Sequence, residues 1–517
     1  MREIERELAV LIQAGYPILY LVSFEEGRVE SRVRAVAEHL SKPLHAWSST
    51  EGATELYSPF AHDDSSPVSY GGGASSQGGG AEGEVSTARD ILDHIHVTPV
   101  RGIFLLRDFH AHLESATNVR RLRDLVRNLR RQNKTIVIQA PRLVLPPELE
   151  RDITVIDVAL PTSKELGGLI DRFIDQLRAD GRFRVELPAN TREDLVLAAR
   201  GLTELEVRRV LSRVVASDRL LDASDIQAVL EEKRQQIRKL GLLEYVDVDA
   251  GLADVGGLDG VKQWLYHRRD AFTTRARDYG LPPPKGTMLL GVQGCGKSLC
   301  AKAIAASLEL PLLRLDVGQI FGAYVGQSEE NMRLAIRTTE SLAPVVLWID
   351  EIEKGFAGTR GSGASDSGAT LRVFATFLTW LQEKTDPVFV VATANRVEDL
   401  PPELLRKGRF DEIFFIDLPV AKEREEIFAI HLRRRRREPG AFDLARLAAA
   451  SEGYSGAEIE QAIVEGMYAG FSSSREFTTE DLLEALQSSV PLSRTMAEDI
   501  AGLRAWASTR ARPASSA

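Results

Sequence analysis

The sequence predicts an α/β protein in which one architectural plan occurs twice. Two observations predict it: short apolar runs alternate with amphipathic segments along the second half of the chain, and the first half repeats the same order of segments. A hydrophobic fraction of 44% and a charged fraction of 27% are ordinary for folded globular proteins. The 517 residues are enough for two or three domains, each with its own core.

In the second half, five apolar runs are predicted to be strands. The runs are nearly continuous rather than alternating, and stretches such as SEENMRLAIRTTESL lie between them. Buried strands separated by helices are typical of a parallel sheet that is covered on both faces. After Pro419 the apolar runs stop and only helical patterns follow. The predicted strands are 288–292, 312–316, 345–350, 388–394 and 412–418.

Matching segments in the first half indicate an internal repeat. PPELERDITVIDVALP at 146–161 resembles PPELLRKGRFDEIFFIDLP at 401–419, and GIFLLRDFH at 102–110 resembles VVLWIDEIE at 345–353. Two helical segments match further along each half, in the same order. Any two α/β units share apolar strands by chance, but four matches in one order favour duplication.

These patterns divide the chain into domains. The expected parts are an α/β domain at 1–162 with a mobile Gly/Ser-rich loop at 58–84, a helical subdomain at 163–240, a linker at 241–256, a second α/β domain at 257–420, a small helical unit at 421–490, and a C-terminal helix with a frayed tail at 491–517.

Charge and cysteine content limit the classes of function. A net charge of −10 argues against broad electrostatic attraction to nucleic acid or to anionic membranes. No segment contains the ~20 consecutive apolar residues that a membrane-spanning helix needs. Two cysteines, Cys295 and Cys300, are too few for a disulfide framework, which suits a reducing compartment. We therefore expect a cytoplasmic protein that binds neither membrane nor nucleic acid.

A phosphate-binding loop is predicted in GVQGCGKSLC, between a predicted strand and a predicted helix. The segment matches the pattern G-x4-G-K-[ST]. Glycine lets backbone N–H groups approach phosphate oxygens, a lysine adds a positive charge, and a serine hydroxyl binds Mg²⁺. The strand and helix on either side make a chance match improbable, so the sequence predicts binding of ATP with Mg²⁺. The predicted nucleotide contacts are Gly291, Gly294, Cys295, Gly296, Lys297, Ser298 and Leu299.

Two carboxylates are predicted at the same edge of the sheet. Asp350 and Glu351 end the apolar run VVLWIDE, and ligands of open α/β sheets bind where parallel strands end. We expect Asp350 to hold Mg²⁺ together with Ser298, and Glu351 to orient the attacking water and accept its proton. The alternative is an acidic pair that only faces solvent.

The first copy lacks these groups. VSFEEGRVES follows its first strand, so acidic side chains replace the glycines and the lysine. We also expect Asp108 and Phe109 to stand where the second copy has Asp350 and Glu351. We therefore expect the first half to have a structural or partner-binding role and to bind no nucleotide.

Together these motifs resemble those of AAA+ ATPases. The resemblance covers roughly residues 251–490 and rests on DVGGLDGVKQWL, the phosphate loop, YVGQSEENMR, WIDEIEK, ATANRVEDLPPELLRKGRFDEIFFIDLP and YSGAEIE. Over nearly its whole length the chain is most similar to AAA ATPases of algal chloroplast genomes and cyanobacteria, of the chloroplast reading frame 46 type. The resemblance implies a P-loop AAA+ parallel sheet with a helical lid at 421–490, preceded by a degenerate AAA-like α/β unit with its own helical subdomain.

The same resemblance assigns further residues. It implies that Asn395 is the sensor that contacts the γ-phosphate or its water. Arg406 and Arg409 match arginine-finger positions, which reach the nucleotide of a neighbouring subunit and stabilise charge on the transferred phosphoryl group. A finger that acts on a neighbour requires a homo-oligomer, and the resemblance implies a ring of six subunits. The alternative for two arginines in a turn is a pair of solvated charges.

Three functions remain open at this level. Tyr324 and Val325 match the pore-loop pair with which related motors grip a polypeptide, so ATP hydrolysis would remodel a protein substrate, which the sequence does not name. The competing hypothesis is an ATP-dependent regulatory switch or scaffold that threads nothing. A nucleic-acid-stimulated ATPase is the third, and the acidic net charge disfavours it.

Overall fold

The computed structural model describes residues 3–59, 87–99, 101–248, 251–320, 327–359, 366–406 and 408–515. The chain divides into two compact units, Met1–Ile226 and Gln227–Ala517. The loop expected at 58–84 lies outside the described residues from position 60 onward, and so do Tyr324 and Val325.

The first unit contains a six-stranded sheet and a helical subdomain. Its strands are β1 (Ile18–Val22), β2 (Leu44–Ser48), β3 (Gly52–Tyr57), β4 (Ile103–Arg107), β5 (Thr135–Ala140), β6 (Ile153–Asp157) and the short pair β7 (Arg184–Val185) and β8 (Leu220–Leu221). Its helices are α1 (Glu3–Gln13), α2 (Glu26–His39), α3 (Ala88–Val97), α4 (Ala116–Gln132), α5 (Ser163–Asp180), α6 (Ala189–Ala199) and α7 (Glu204–Asp218).

The second unit has a seven-stranded sheet. Helix α8 (Asp225–Leu240) passes into it from the first unit. Its strands are β9 (Leu243–Val246), β10 (Gly286–Gly291), β11 (Leu312–Leu315), β12 (Val345–Ile349), β13 (Val388–Ala394), β14 (Glu412–Ile416) and β15 (Arg512–Pro513). Its helices are α9 (Asp259–Tyr266), α10 (Thr274–Asp278), α11 (Lys297–Leu308), α12 (Val317–Ile320), α13 (Gln327–Ser341), α14 (Asp366–Glu383), α15 (Ala421–Arg434), α16 (Leu444–Ala450), α17 (Gly456–Ser472), α18 (Thr479–Ser488), α19 (Leu492–Thr495) and α20 (Ala497–Arg510).

Both sheets have the same strand order. The first runs β3-β2-β4-β5-β1-β6 and the second β15-β14-β10-β13-β12-β11-β9, so β6-β1-β5-β4-β2 corresponds to β14-β10-β13-β12-β11. These corresponding strands are parallel, and an antiparallel strand, β3 or β9, borders the same edge of each sheet. The predicted α/β class and its repetition in the first half are confirmed.

Each sheet is buried on both faces, as near-continuous apolar strands require. In β10, Met288 and Leu290 enter one core while Leu289 enters the other. In β1, Tyr20 likewise packs in one core and Leu19 in the core on the other face. Successive side chains of a strand point to opposite faces, so an uninterrupted apolar run fits a sheet with helices on both sides. None of the helices in the described ranges combines the length and apolar character that a membrane crossing requires.

Two short edge strands depart from the sequence expectations. The segment expected to be a linker, 241–256, contains β9, which pairs antiparallel with β11. As far as Ser515, the last described residue, the tail expected to fray is packed: β15 pairs with β14, and Ala514 is buried beyond it. Apolar patterns reveal neither strand because both are short and depend on partners far along the chain.

Strand pairing also corrects the comparison of the two halves. Ala140 and Ala394 end the corresponding strands β5 and β13, and Val22 and Leu290 pair with them. Only residues 23–25 then lie between Val22 and α2, whereas residues 291–296 lie between Leu290 and α11. The connection in the first unit is therefore too short to form the same loop.

The acidic pair is corrected by the same register. Leu106 pairs with Ile138 and Ile349 with Ala392, at corresponding positions of β5 and β13. The residues that correspond to Asp350 and Glu351 are therefore the next two after Leu106, namely Arg107 and Asp108. The expectation that Asp108 and Phe109 hold these places is wrong by one residue. The backbone agrees, because Asp108 and Glu351 both have positive φ angles, of 51° and 49°.

Candidate active site

The segment from the last residue of β10 to the start of α11 has three glycines whose lack of a side chain matters. A Cβ on Gly291 would lie 2.0 Å from the carbonyl oxygen of Ile416, so β10 and β14 approach too closely there for any side chain. Gly294 has a φ of 77° and faces Ser455, whose Oγ would lie 2.9 Å from an added Cβ. Gly296, with a φ of 85°, precedes the first residue of α11. The backbone can therefore turn around a phosphate and present the N terminus of α11 to it.

Lys297 is buried at the start of α11. Its Nζ donates hydrogen bonds to the carbonyl oxygens of Gly291, at 2.9 Å, and Val292, at 2.8 Å. Burial lowers its pKa to about 8, because the protein interior disfavours an ammonium without a counter-charge. A phosphate group beside this ammonium would supply that counter-charge.

Asp350 and Ser298 meet at the end of the sheet. Ser298 Oγ donates to Asp350 Oδ1 at 3.3 Å, and Thr393 Oγ1 donates to the same oxygen at 2.6 Å. These contacts bring the ends of β12 and β13 beside the first turn of α11. The second oxygen of Asp350 and the serine hydroxyl are the hard oxygen ligands that Mg²⁺ prefers.

Glu351 is held in a sparsely populated backbone conformation. Its φ of 49° is unusual for a residue with a side chain, and its N–H donates to Thr393 Oγ1 at 2.9 Å. Asn395 Nδ2 donates to Glu351 Oε1 at 3.0 Å, and Lys354 contacts the other carboxylate oxygen. Backbone strain maintained by neighbouring contacts is common at functional sites. Here it directs the Glu351 carboxylate toward Asn395.

Thr393 and Glu353 support this arrangement, and the sequence analysis missed both. Thr393 links Asp350 to the backbone of Glu351, while Glu353 Oε1 accepts a hydrogen bond from the Asn395 N–H at 2.9 Å. Glu353 is 6% exposed, and burial raises its pKa. A single polar residue near the end of the apolar run VFVVATAN was a signal that could have identified Thr393.

These groups line one cleft of about 490 Å³. Residues 293–299 form one wall, with Asp350, Glu351 and Asn395 at the edge of the sheet. The opposite wall comes from α15 and the start of α17, which belong to the lid, helices α15–α18. The N–H of Ala457, at the start of α17, donates to the carbonyl oxygen of Gly294 at 3.0 Å. Of the predicted nucleotide contacts, all except Gly291 line this cleft.

Arg406 and Arg409 are not brought to this cleft. Arg406 is exposed, and half-buried Arg409 donates to the carbonyl oxygen of Glu403 in its own turn. Neither is among the residues that line the cleft. Within one chain, therefore, no arginine from this turn reaches the loop or the acidic edge.

The cysteines are free thiols of low reactivity. Cys300 is buried and Cys295 is half-buried, with its Sγ 3.9 Å from the carbonyl oxygen of Gln293. Burial raises the pKa of each thiol to about 12, so both stay protonated at neutral pH. This favours a packing role for Cys295 over an oxidation switch.

In the first unit, arginines fill the corresponding region. Arg28 Nη1 pairs with Glu25 at 2.8 Å, and its other nitrogens pair with Glu165 at 3.3 Å and with Glu204 at 3.6 Å. Arg32 pairs with Glu165 at 2.6 Å. The first three residues after β1 and helix α2 are thereby tied to the first turns of α5 and α7. Side chains hold the helical subdomain where a nucleotide would otherwise lie between sheet and helices.

A further arginine occupies the position that corresponds to Asp350. Arg107, which corresponds to Asp350, pairs with Glu30, 2.5 Å away, and with Glu51, 2.8 Å away. Glu26, in the first turn of α2, lies 3.2 Å from its Nε. The first unit therefore places a fixed cation where the second places a carboxylate.

Replacing Arg32 should destabilise the first unit. Arg32→Met leaves the buried Glu5 and the half-buried Glu165 with fewer partners, and breaking a buried ion pair costs about 3 kcal/mol of unfolding free energy. Hydrogen–deuterium exchange of peptides from α2 and α5 in increasing urea measures this change. Arg34→Met on the same helix is the control, since the pair of Arg34 with Glu38 is half-exposed. An equal loss of unfolding free energy in the two variants would show that the Arg32 ion pairs contribute no more than the half-exposed pair of Arg34.

Comparison with known proteins follows the same division. Residues 4–158 match the family model "SpoVK-like AAA ATPase, N-terminal domain" and residues 164–240 match "SpoVK-like AAA ATPase, second domain". Residues 287–418 match "ATPase family associated with various cellular activities (AAA)". The first unit is thus AAA-like although its loop is shortened.

Relatives match along nearly the whole chain. The AAA domain-containing protein ycf46 of Guillardia theta is 41% identical over 97% of this chain and 94% of its own length. The ycf46 protein of Trieres chinensis is 41% identical over 99% of this chain and 98% of its own length. A proteasome-activating nucleotidase of Aeropyrum pernix is 34% identical over 41% of this chain and 52% of its own length. Since the ycf46 proteins align with both units, and the second unit carries the loop and acidic edge described above, the chain belongs to the AAA ATPase family.

Proposed function

We propose that the second unit binds ATP with Mg²⁺ and hydrolyses it to ADP and phosphate, and that the cycle remodels a protein partner within a homo-oligomeric ring. One observation carries the ATPase part: hydrogen bonds join Ser298, Asp350, Thr393, Glu351 and Asn395 in sequence beside the buried Lys297. A binding loop alone needs no such connection to a strained carboxylate.

The cleft residues fit a nucleotide triphosphate with its metal. Gly294 and Gly296 leave backbone N–H groups free of side chains, and among the described residues no carboxylate lies at hydrogen-bond distance from the Lys297 ammonium. Ser298 and Asp350 would hold Mg²⁺, which neutralises charge on the phosphate oxygens when it is bound. The loop and the acidic edge line the part of the cleft where the phosphates would bind. Helix α15 and residues 254–258 line the rest, so the lid would cover the nucleoside.

Hydrolysis then depends on the orientation of Glu351. Its carboxylate is placed to accept a proton from a water molecule that attacks the γ-phosphate in line. Asn395 donates to one carboxylate oxygen, which fixes the rotamer and leaves the other oxygen with Lys354. From this position Asn395 would contact the water or the terminal phosphate, which is the sensor role that the AAA+ resemblance implies.

A neighbouring subunit would complete the site. Neither Arg406 nor Arg409 lines the cleft of its own chain, so a finger from this turn would act on the nucleotide of another chain. This supports a ring, and the AAA+ resemblance favours six subunits. Exposure of Arg406 leaves it available at such an interface.

Mixing two inactive variants tests this arrangement. Arg409→Ala subunits keep Glu351 but lack the finger, whereas Glu351→Gln subunits keep the finger but lack the base. We expect each variant alone to bind ATP without hydrolysing it, and a mixed assembly to regain part of the wild-type ATPase rate. Arg396→Ala, in an exposed pair with Asp399, is the control and should remain active alone. No recovery after subunit exchange would mean that Arg409 acts within its own chain or in another role.

Substitution of Tyr324 separates remodelling from switching. If the ring threads a polypeptide, Tyr324→Ala should lose substrate processing while its basal ATPase rate stays near that of the wild type. If ATP only sets conformation or assembly, neither should change. Partners captured on Glu351→Gln in the presence of ATP supply the substrate for this assay. ATP turnover that instead rises with added DNA or RNA and falls steeply with salt would favour the third reading.

A further inference from the structure

The last described residues form an ordered strap, residues 512–515. Beyond β15, the Ala514 N–H donates to the carbonyl oxygen of Phe415 in β14 at 2.9 Å. The Ala514 carbonyl oxygen accepts from the N–H groups of Gly260, at 2.8 Å, and Val261, at 3.3 Å, in the first turn of α9. Ala514 is 1% exposed. The strap therefore satisfies donors at the N terminus of a helix as well as an edge of the sheet.

Gly260 leaves the space that the strap uses. A Cβ at Gly260 would lie 2.8 Å from the carbonyl oxygen of Pro513 and 2.9 Å from that of Ala514. Backbone atoms cannot move aside without losing the hydrogen bonds of the strap. Docking of the strap against α9 thus depends on this one residue having no side chain.

The strap reaches the wall of the cleft at Glu423 of the lid. Ser515 Oγ donates to Glu423 Oε1 at 2.5 Å, and both residues line the cleft. The same oxygen accepts from the N–H of Leu258, at 3.3 Å. Nearby, the Gly257 N–H donates to Glu426 Oε2 at 2.9 Å. Lid helix α15, the segment before α9 and the strap therefore meet at one carboxylate.

Helix α20 adds a second tie close by. Arg504 donates to both carboxylate oxygens of Asp417, at 2.8 and 2.9 Å, and Asp417 lines the cleft directly after β14. The C-terminal region thus contacts two residues of the cleft wall, one on the sheet and one on the lid.

From this geometry we propose that the strap is a positioning element for nucleotide binding: it holds residues 256–258 and α15 in the arrangement that encloses the nucleoside. The proposal rests on ATP binding by the second unit. The phosphates would bind at the loop between β10 and α11. The wall that the strap supports therefore faces the nucleoside. Because the strap and the nucleotide stabilise the same arrangement, each should strengthen the binding of the other.

Two variants that remove strap docking test the proposal. We expect deletion of residues 511–517, and Gly260→Ala in the full chain, to weaken ATP binding about tenfold, within the usual range for coupling between sites. The KM for ATP should rise while kcat changes little, since no group that touches the phosphates is altered. Gly502→Ala on α20 is the control, because a Cβ there meets open space. Ser515→Ala, which removes one hydroxyl, should give a smaller effect of the same sign.

Since ATP binding should also strengthen docking of the strap, the proposal can be tested in the wild-type protein. Saturating ATP with Mg²⁺ should slow the release of the C-terminal residues by carboxypeptidase, and Lys297→Met should abolish this protection. Equal ATP affinity in Gly260→Ala, the deletion and Gly502→Ala would overturn the strap proposal while leaving the ATPase intact. Absence of ATP binding by the wild-type protein would instead overturn the proposed function itself.

Discussion

Glu351→Gln should bind ATP with Mg²⁺ and hydrolyse it about 10²–10⁴-fold more slowly than the wild type, the usual contribution of a general base. The substitution removes the charge that accepts a proton but keeps the shape of the side chain and one oxygen for the hydrogen bond from Asn395. The backbone contact of residue 351 with Thr393 is unaffected. Nucleotide affinity and turnover therefore separate in this variant.

Steady-state phosphate release and calorimetric titration with ATP measure the two quantities. Glu309→Gln is the matched control, because Glu309 ends α11 at the surface in an exposed pair with Arg269. It should retain wild-type turnover. Unchanged hydrolysis in Glu351→Gln would show that another group takes the proton, and would remove the reason for the strained backbone at this residue.

Lys297→Met should weaken ATP binding by about tenfold to a hundredfold, because a hydrogen bond to a charged group contributes about 1.5–3 kcal/mol. Wild-type protein should bind one nucleotide per chain, since the first unit has arginines in place of a binding loop. At ATP concentrations that fill the single site of the wild-type chain, Lys297→Met should bind little ATP. Appreciable binding of a second nucleotide would contradict the assignment of the first unit.

Thermal unfolding gives an independent readout of the same substitution. ATP at about 100 times its dissociation constant should stabilise the second unit of the wild type by about 2.7 kcal/mol, and Lys297→Met should lose most of this gain. Without nucleotide, the variant should be no less stable, because burial already lowers the pKa of Lys297 to about 8 and disfavours its charge. Lys302→Met, on the same helix, is the control.

The major strands were predictable because each is a bounded apolar run. The five runs of the second half correspond to β10–β14, and parallel order followed from helices between buried strands. The edge strands β9 and β15 were not predictable, because a short segment becomes a strand only through its partner. Leu243–Val246 pairs across more than sixty residues of sequence, and Arg512–Pro513 pairs with a strand about one hundred residues earlier.

The site residues likewise differ in how far the sequence predicts them. Residues in contiguous motifs, such as Lys297 and Asp350, could be found because the loop chemistry requires these types at this spacing. Ser515 acts through a hydrogen bond to Glu423, in a distant segment, and no local pattern marks it, whereas Thr393, which is bonded to Asp350, is marked only as a polar residue near the end of an apolar run. The correspondence of Arg107 and Asp108 with Asp350 and Glu351, and the shortened loop after β1, are both visible only in the strand register.

That shortened loop has an evolutionary consequence. Glycine and lysine substituted at Glu25 and Glu26 would not restore ATP binding to the first unit, since three linking residues cannot encircle a phosphate as six can. Recovery would require an insertion, together with the simultaneous loss of Arg28 and Arg107 from the space that a ligand would need. Intermediate steps would carry unpaired carboxylates and fold poorly. The two units therefore differ in ways that single substitutions do not reverse.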